Sequence, residues 1–129
     1  MILLDTHVLL WWITDRGRLS DGQRDLLDDD LQTRIVSAVT CWEIALADAR
    51  GRIKLNKPAG QWLGEAATGW GVEFAPLTDE IAVASVTLPD GLHRDPADRF
   101  LVATARTLGC PLLTTDGKIL AYPHVETIG

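Results

Sequence analysis

The sequence predicts an α/β domain whose mainly parallel sheet carries helices on both faces. Three observations carry that prediction. Apolar segments of strand length alternate with segments of helix length along the chain. Capping residues, Asp, Ser or Thr, stand at the helix starts, and Gly stands at several helix ends. No linker, repeat or low-complexity tract interrupts the alternation, so residues 1–129 read as one domain, a length that buries roughly two-thirds of the unfolded chain's surface.

Met1–Asp5, M-I-L-L-D, is a short apolar strand closed by an acid, and Thr6 leads into helix-length sequence over Val8–Ile13. An acid directly after a buried first strand stands where open α/β sheets bind ligands, and it is equally well placed to cap the helix. His7 reads as a packed or surface histidine rather than a ligand or base. Ser20–Gln32 opens with S-D-G-Q, a capping-box pattern, and spaces Leu26, Leu27 and Leu31 as an amphipathic helix does. Its acid run, Asp28–Asp30, reads as a solvated face. Arg34–Ser37 supplies a second strand, and T-C-W-E at Thr40–Glu43 repeats the capping-box pattern before a helix that ends near Gly51. Glu43 has Val39, Leu46 and Ala47 at helical spacing and Trp42 and Ile44 beside it. A carboxylate is seldom left among apolar residues without a partner, so Glu43 is either a site residue or the acid of a capping box.

Asn56–Gly71, with Pro58, four glycines and two tryptophans, reads as a short helix between loops, with Trp62 and Trp70 as core or subunit contacts. Val72–Leu77 is a strand, Thr78 caps a helix from Asp79 to about Val86, and Pro89–Arg94 is a loop in which His93 reads as a loop contact, with contact to substrate as the alternative. Then comes His93–Ala105, H-R-D-P-A-D-R-F-L-V-A-T-A. Asp95 caps, Pro96 fits the first helical position, and Asp98 falls in the first turn, where it either answers the helix dipole or joins other acids. This helix stops at Leu108-Gly109; Leu112–Thr115 is the next strand, Asp116 closes it beside the hydroxyls of Thr114 and Thr115, and Val125–Ile128 adds an edge strand.

The net charge of −6 argues against general attraction to nucleic acid, although an acidic site that recruits a cation can still act on phosphate. Arg50, Arg52, Lys54 and Lys57 form a weak basic cluster that reads as solvated surface. Cys41 and Cys110 lie beside apolar residues and read as free thiols in a reducing, cytoplasmic setting; no metal-ligand spacing of Cys and His exists. The longest apolar run, Val8–Ile13, is far short of a membrane span.

Two strand-end acids, one acid in an apolar helical setting and one at a helix start can meet at one mouth of a parallel sheet. Acids about 5 Å apart repel by about 3 kcal/mol per pair at an effective dielectric near 20. Asp5, Glu43, Asp98 and Asp116 together would need protons or a cation, and all-oxygen ligands select Mg²⁺ or Mn²⁺. Metal-assisted phosphoryl transfer is the natural chemistry.

Four motifs, M-I-L-L-D-T-H-V-L-L-W-W, S-A-V-T-C-W-E-I-A, H-R-D-P-A-D-R-F-L-V-A-T-A and P-L-L-T-T-D, in this order, resemble the PIN domain of VapC-type toxins from bacterial toxin–antitoxin pairs. The resemblance spans nearly the whole chain and implies a PIN-like fold over 1–129. Its acidic quartet falls on Asp5, Glu43, Asp98 and Asp116, and its T-x-D hydroxyl on Thr114. Thr6 and Asp95 are candidates for supporting that quartet, and Arg99 for a phosphate, a carboxylate or an outward ion pair. What the resemblance implies is a Mg²⁺- or Mn²⁺-dependent endoribonuclease toxin, homodimeric, acting on RNA and neutralised by a cognate antitoxin. Lys118, near where some members carry a further acid, leaves the number of metals open. The rival readings are another Mg²⁺-dependent phosphoryl-transfer α/β enzyme, and an inactive module whose acid pocket binds a basic peptide. A D-x-D phosphatase pattern after the first strand would require Asp at position 7, where this chain has His7.

Overall fold

The computed structural model describes Met1–Gly129 and is built on a five-stranded, wholly parallel sheet of order β3-β2-β1-β4-β5. The strands are β1 (Ile2–Leu4), β2 (Arg34–Ser37), β3 (Val72–Ala75), β4 (Leu112–Leu113) and β5 (Thr127–Ile128). The helices are α1 (Thr6–Thr14), α2 (Asp21–Asp28), α3 (Ala38–Ala49), α4 (Ala59–Trp70), α5 (Asp79–Val86), α6 (Pro96–Leu108) and α7 (Gly117–Leu120), with a single 3-10 turn at Arg16–Arg18. The chain builds outward from β1 through β2 to β3, then crosses back to place β4 on the other side of β1. The strand order therefore reverses between β1 and β4, and open α/β sheets bind their ligands outside the carboxyl ends of strands at such a reversal.

Strand residues alternate between two cores, as the two-residue period of a strand requires. Ile2, Leu4, Val36 and Leu113 pack on one face with Val8, Leu9 and Trp12 of α1, Ile44 of α3 and Trp62 of α4. Leu3, Ile35 and Leu112 pack on the other with Leu101, Val102 and Ala105 of α6, Ile119 of α7 and Tyr122. Both faces of the sheet are thus covered, as expected for parallel strands.

The capping signals at Ser20, Thr78, Asp95 and Gly109 act as read: Ser20 and Gln23 form a reciprocal capping box, Thr78 Oγ1 accepts from the Ile81 amide, and Gly109 ends α6 at φ 67°. Four local readings change, the first being that α2 ends at Asp28 rather than Gln32 and leaves Leu31 exposed beyond it. The second capping box is absent, because α3 starts earlier: Ser37 caps it by accepting from the Val39 amide, which leaves Thr40 and Glu43 inside the helix. The segment before Gly71 is a full three-turn helix rather than a short one. Trp62 and Ala66 bury one face of it, its glycines at 60, 64 and 69 stand in open space, and Gly71 stops it at φ 69°. Tertiary burial here outweighs the poor helix propensity of glycine. Asp28 is a structural residue, accepting from Trp12 Nε1 at 3.0 Å and paired with Arg16. Trp62 is core, and Trp70 meets Trp12 edge-on at 4.9 Å between ring centroids. Both cysteines are free. No helix is long and apolar enough to cross a membrane.

Candidate active site

The carboxyl ends of β1 and β4 deliver Asp5 and Asp116 side by side, and one buried hydroxyl joins them. Asp5 caps α1, taking the Thr6 amide on Oδ1 at 2.6 Å, while its Oδ2 accepts from Thr114 Oγ1 at 2.6 Å. The same Thr114 oxygen accepts the Asp116 amide at 3.0 Å. Thr114 is fully buried, so its single proton is committed to Asp5 and its lone pair to the backbone that presents Asp116. Asp116 in turn caps the short helix α7, its Oδ1 accepting the amides of Lys118 and Ile119. Both acids cap helices with one carboxylate oxygen, and both carboxylates stand at the mouth of the sheet.

Glu43 arrives from α3, one and a half turns after the end of β2. Its Oε1 accepts from Thr6 Oγ1 at 2.6 Å, and Thr6 Oγ1 lies 3.0 Å from the buried Thr40 Oγ1. With the Thr6 proton given to Glu43, Thr40 is the donor in the second bond. Thr6 thereby ties α3 to the first turn of α1. In the sequence Thr40 looks like a cap; it supports the site from inside the helix.

The start of α6 contributes the rest. Asp95 Oδ1 caps it through the Ala97 amide at 3.0 Å, and Asp98 in the first turn has its Oδ2 2.6 Å from His93 Nε2. His93, read in the sequence as a loop contact, is the partner that the sequence does not reveal; the signal for it is only a histidine five residues before an acid. His93, Asp95 and Asp98 hold their potential ligand atoms within 4.8 Å of one another. Arg99 forms no ion pair, outward or with the site acids. Its Nε donates to Ser85 O at 3.0 Å and its Nη1 to the carbonyls of Leu92 and His93, both at 3.3 Å, so the guanidinium holds backbone and pairs with no carboxylate. The basic cluster is likewise partly spent, since Lys57 pairs with Glu65.

Asp5, Glu43 and Asp98 all have their pKa raised. Burial is the first cause in each; repulsion by Asp116 adds to it at Asp5, by Asp5, Asp98 and Asp95 at Glu43, and by Asp95, Asp5 and Asp116 at Asp98. These repulsions link Asp98 to Asp5, Asp95 and Asp116, and Glu43 to Asp5, Asp98 and Asp95. None of Asp5, Glu43, Asp98 and Asp116 pairs with a lysine or arginine; the Lys and Arg ion pairs are Arg16–Asp28, Arg18–Asp15, Arg24–Asp21 and Lys57–Glu65. An open hollow of about 530 Å³ next to them is lined by His93, Asp95, Asp98, Asp116, Gly117 and Lys118, with no apolar residue. Unneutralised carboxylates around a polar hollow are a donor set that fits a hard divalent cation. His7, by contrast, is exposed and leans on Trp11 at 5.6 Å between ring centroids.

A second hollow of about 350 Å³ runs from Glu43 and Asp95 past Thr6 and His7 to the apolar side chains of Leu10, Trp42, Leu46 and Ile53. Trp42 beside it is 59 % exposed.

Comparison with known proteins accords with this geometry. The family model described as PIN domain matches residues 2–125. Ribonuclease VapC22 of Mycobacterium tuberculosis is 34 % identical over 129 residues, covering 98 % of this chain and 95 % of that protein. Among solved structures, a toxin–antitoxin complex from Klebsiella pneumoniae superposes with a TM-score of 0.70 at 18 % identity, over 100 % of this chain and 97 % of that one. FitAcB from Neisseria gonorrhoeae gives a TM-score of 0.69 at 24 % identity, again over 100 % and 97 %. With its strand-end acids at the sheet's reversal point, a family match over almost its full length and a VapC ribonuclease as a close relative, the chain belongs to the PIN domain family and, within it, to the VapC-type proteins.

Proposed function

We propose that this protein is a divalent-metal-dependent endoribonuclease toxin, acting on RNA in the cytoplasm and held in check by a cognate antitoxin. The observation that carries the reading is the crowding of Asp5, Glu43, Asp98 and Asp116, the first three with raised pKa values and none paired by a lysine or arginine, at the reversal point of the sheet. Ribonuclease activity in a relative 34 % identical along the whole chain supports the RNA substrate.

Asp5, Asp98 and Asp116, completed by Glu43, are the residues that would hold Mg²⁺ or Mn²⁺. Such an ion supplies Lewis-acid chemistry: it acidifies water and offsets charge on a phosphate. The chain's own residues do the rest. Thr114 and the Thr6 amide fix both oxygens of Asp5, so this acid cannot swing away. Thr6 fixes Oε1 of Glu43 and leaves Oε2 open, and burial raises the affinity of that carboxylate for a proton, which suits a base that takes one from the attacking water. Water attacks the scissile phosphorus in line, the bond to the 3′ oxygen breaks, and that oxygen gains a proton. The products are a 5′-phosphate and a 3′-hydroxyl.

The antitoxin reading draws on the VapC membership and on the second hollow. Apolar side chains of a bound segment would lie against Leu10, Trp42, Leu46 and Ile53, and an arginine or lysine at its end would reach Glu43 and Asp95. The same family membership supports a homodimer.

One assay tests the reading: purified protein and RNA in Mg²⁺ and in Mn²⁺, with EDTA as control, beside Asp98→Asn. Cleavage should need metal, vanish in the variant, stop on addition of the antitoxin and leave 5′-phosphate ends. Products ending in a 2′,3′-cyclic phosphate, which require attack by the RNA's own 2′-hydroxyl, would overturn the mechanism. Equal cutting by Asp98→Asn would place the activity elsewhere.

A further inference from the structure

We infer that His93 is a positioning residue of this site: it holds one oxygen of Asp98 through Nε2–H, leaves the other for the metal, and sits on a loop built to keep it there. The inference rests on the metal-dependent reading above.

The bond itself is short, 2.6 Å between His93 Nε2 and Asp98 Oδ2, and no other hydrogen bond reaches the Asp98 carboxylate. Without it, the side chain would be free to turn about both its torsions. The histidine could in principle be a ligand instead, since its nitrogen lies within the 4.8 Å cluster that it forms with Asp95 and Asp98. Its other nitrogen decides the matter. Nδ1 is buried and has no hydrogen-bond partner. A proton on Nδ1 would be an orphaned buried N–H, which proteins avoid more strongly than an under-used acceptor. The ring proton therefore belongs on Nε2, where it points at Asp98. A nitrogen that donates a proton in this way has no lone pair to offer a metal.

The loop that carries His93 is anchored from three directions. Arg99 ties the carbonyls of Leu92 and His93 to Ser85 O of α5. Tyr122 donates from its hydroxyl to Pro89 O at 2.6 Å. Gly91 turns the chain at φ +113°, with carbons of the Tyr122 ring 3.8 Å from where a Cβ would stand, and Leu92 is buried in the second core. Arg99 follows Asp98 directly on α6, so one helical turn carries both the acid and the residue that fixes the acid's partner.

Partners that orient a ligating carboxylate typically change metal affinity by about 10- to 100-fold when removed. The test is a pair of variants of similar length, His93→Gln, whose amide can still donate, and His93→Met, which cannot. Mn²⁺ binding is followed by electron paramagnetic resonance of the free ion, with thermal melts in EDTA to confirm folding. His93→Met should bind Mn²⁺ about 10- to 100-fold more weakly and regain most of its RNA cleavage at high Mn²⁺. His93→Gln should recover most of the affinity. Arg99→Lys keeps the charge but loses the fork, and should weaken Mn²⁺ binding in the same direction. Wild-type affinity in His93→Met overturns the positioning role while leaving the metal reading intact. A directly coordinated imidazole nitrogen in the Mn²⁺ spectrum of the wild type makes His93 a ligand and also overturns it. If the wild type binds no Mn²⁺, the metal reading falls and takes this inference with it.

Discussion

Asp98 is pulled in opposite directions in the metal-free protein. Burial and the charges of Asp95, Asp5 and Asp116 disfavour its ionised form, and only the bond from His93 favours it. Asp98→Asn removes the repulsion and keeps an acceptor for His93 Nε2, so the metal-free variant should melt higher than the wild type. Mg²⁺ should raise the wild-type melting temperature and the variant's much less, because a ligand has been lost. Were Asp98 only an acid at a helix start, the substitution would cost up to about 1 kcal/mol and leave the Mg²⁺ response unchanged; melts with EDTA and with Mg²⁺ separate the two. At this scale, legibility followed covalent proximity. Asp5 and Asp116 stand out because each ends an apolar strand, and Glu43 because its helical neighbours are apolar. The Asp98–His93 contact depends on how Arg99 and Tyr122 fold the loop back, which no local pattern records.

The start of α6 asks one residue, Asp95, to cap a helix and to sit among acids. Its Oδ1 takes the Ala97 amide, and its charge raises the pKa of both Asp98 and Glu43. These two effects can be pulled apart. Asp95→Ala should cost about 1 kcal/mol through the lost cap, whereas Asp95→Asn keeps the cap, removes a repelling charge and should be neutral or stabilising in EDTA. Equal destabilisation of both variants in denaturant melts would mean that the carboxylate, not the cap, holds the turn together. Elements whose ends carry capping chemistry, such as α5 and α6, are legible almost to the residue, whereas α2 is legible only at its capped start: it stops at Asp28, short of Gln32, and leaves Leu31 in solvent. Those decided by tertiary packing are less so: α4 forms despite its glycines because Trp62 must reach the core, and α3 begins at Ala38 because the strand before it ends at Ser37, which caps it.

The topology of the whole sheet forces the acids together, and the folded molecule carries that cost at every pH where they ionise. Asp5, Glu43 and Asp98 have folded-state pKa values above their ordinary 3.8, 4.5 and 3.8, so between the unfolded and folded values the native state binds more protons than the unfolded one. Their linkage term is then negative: stability is greatest below the unfolded values, falls as pH rises through the folded ones, and levels off above. Asp28 beside Arg16 and Glu65 beside Lys57 have lowered values and act in the opposite sense, but both are exposed and screened, so they offset little. On the proposed metal-dependent reading, a bound Mg²⁺ would reverse the sign of the cluster, because the metal would compete with protons for the same carboxylates and stabilise only the folded state, by about 2.7 kcal/mol at a hundred times its Kd. In EDTA, therefore, the wild-type melting temperature should fall as pH rises above the ordinary carboxylate values of about 4, and in saturating Mg²⁺ the gap between the two curves should widen over the same range. Asp98→Asn should show a shallower fall in EDTA, since the background carboxylates cancel in that comparison and one crowded acid is gone. An Asp98→Asn curve in EDTA that falls as steeply as the wild type's, or a Mg²⁺ gap that does not grow with pH, would mean that the acids at the sheet's mouth are too far apart to act as one metal site.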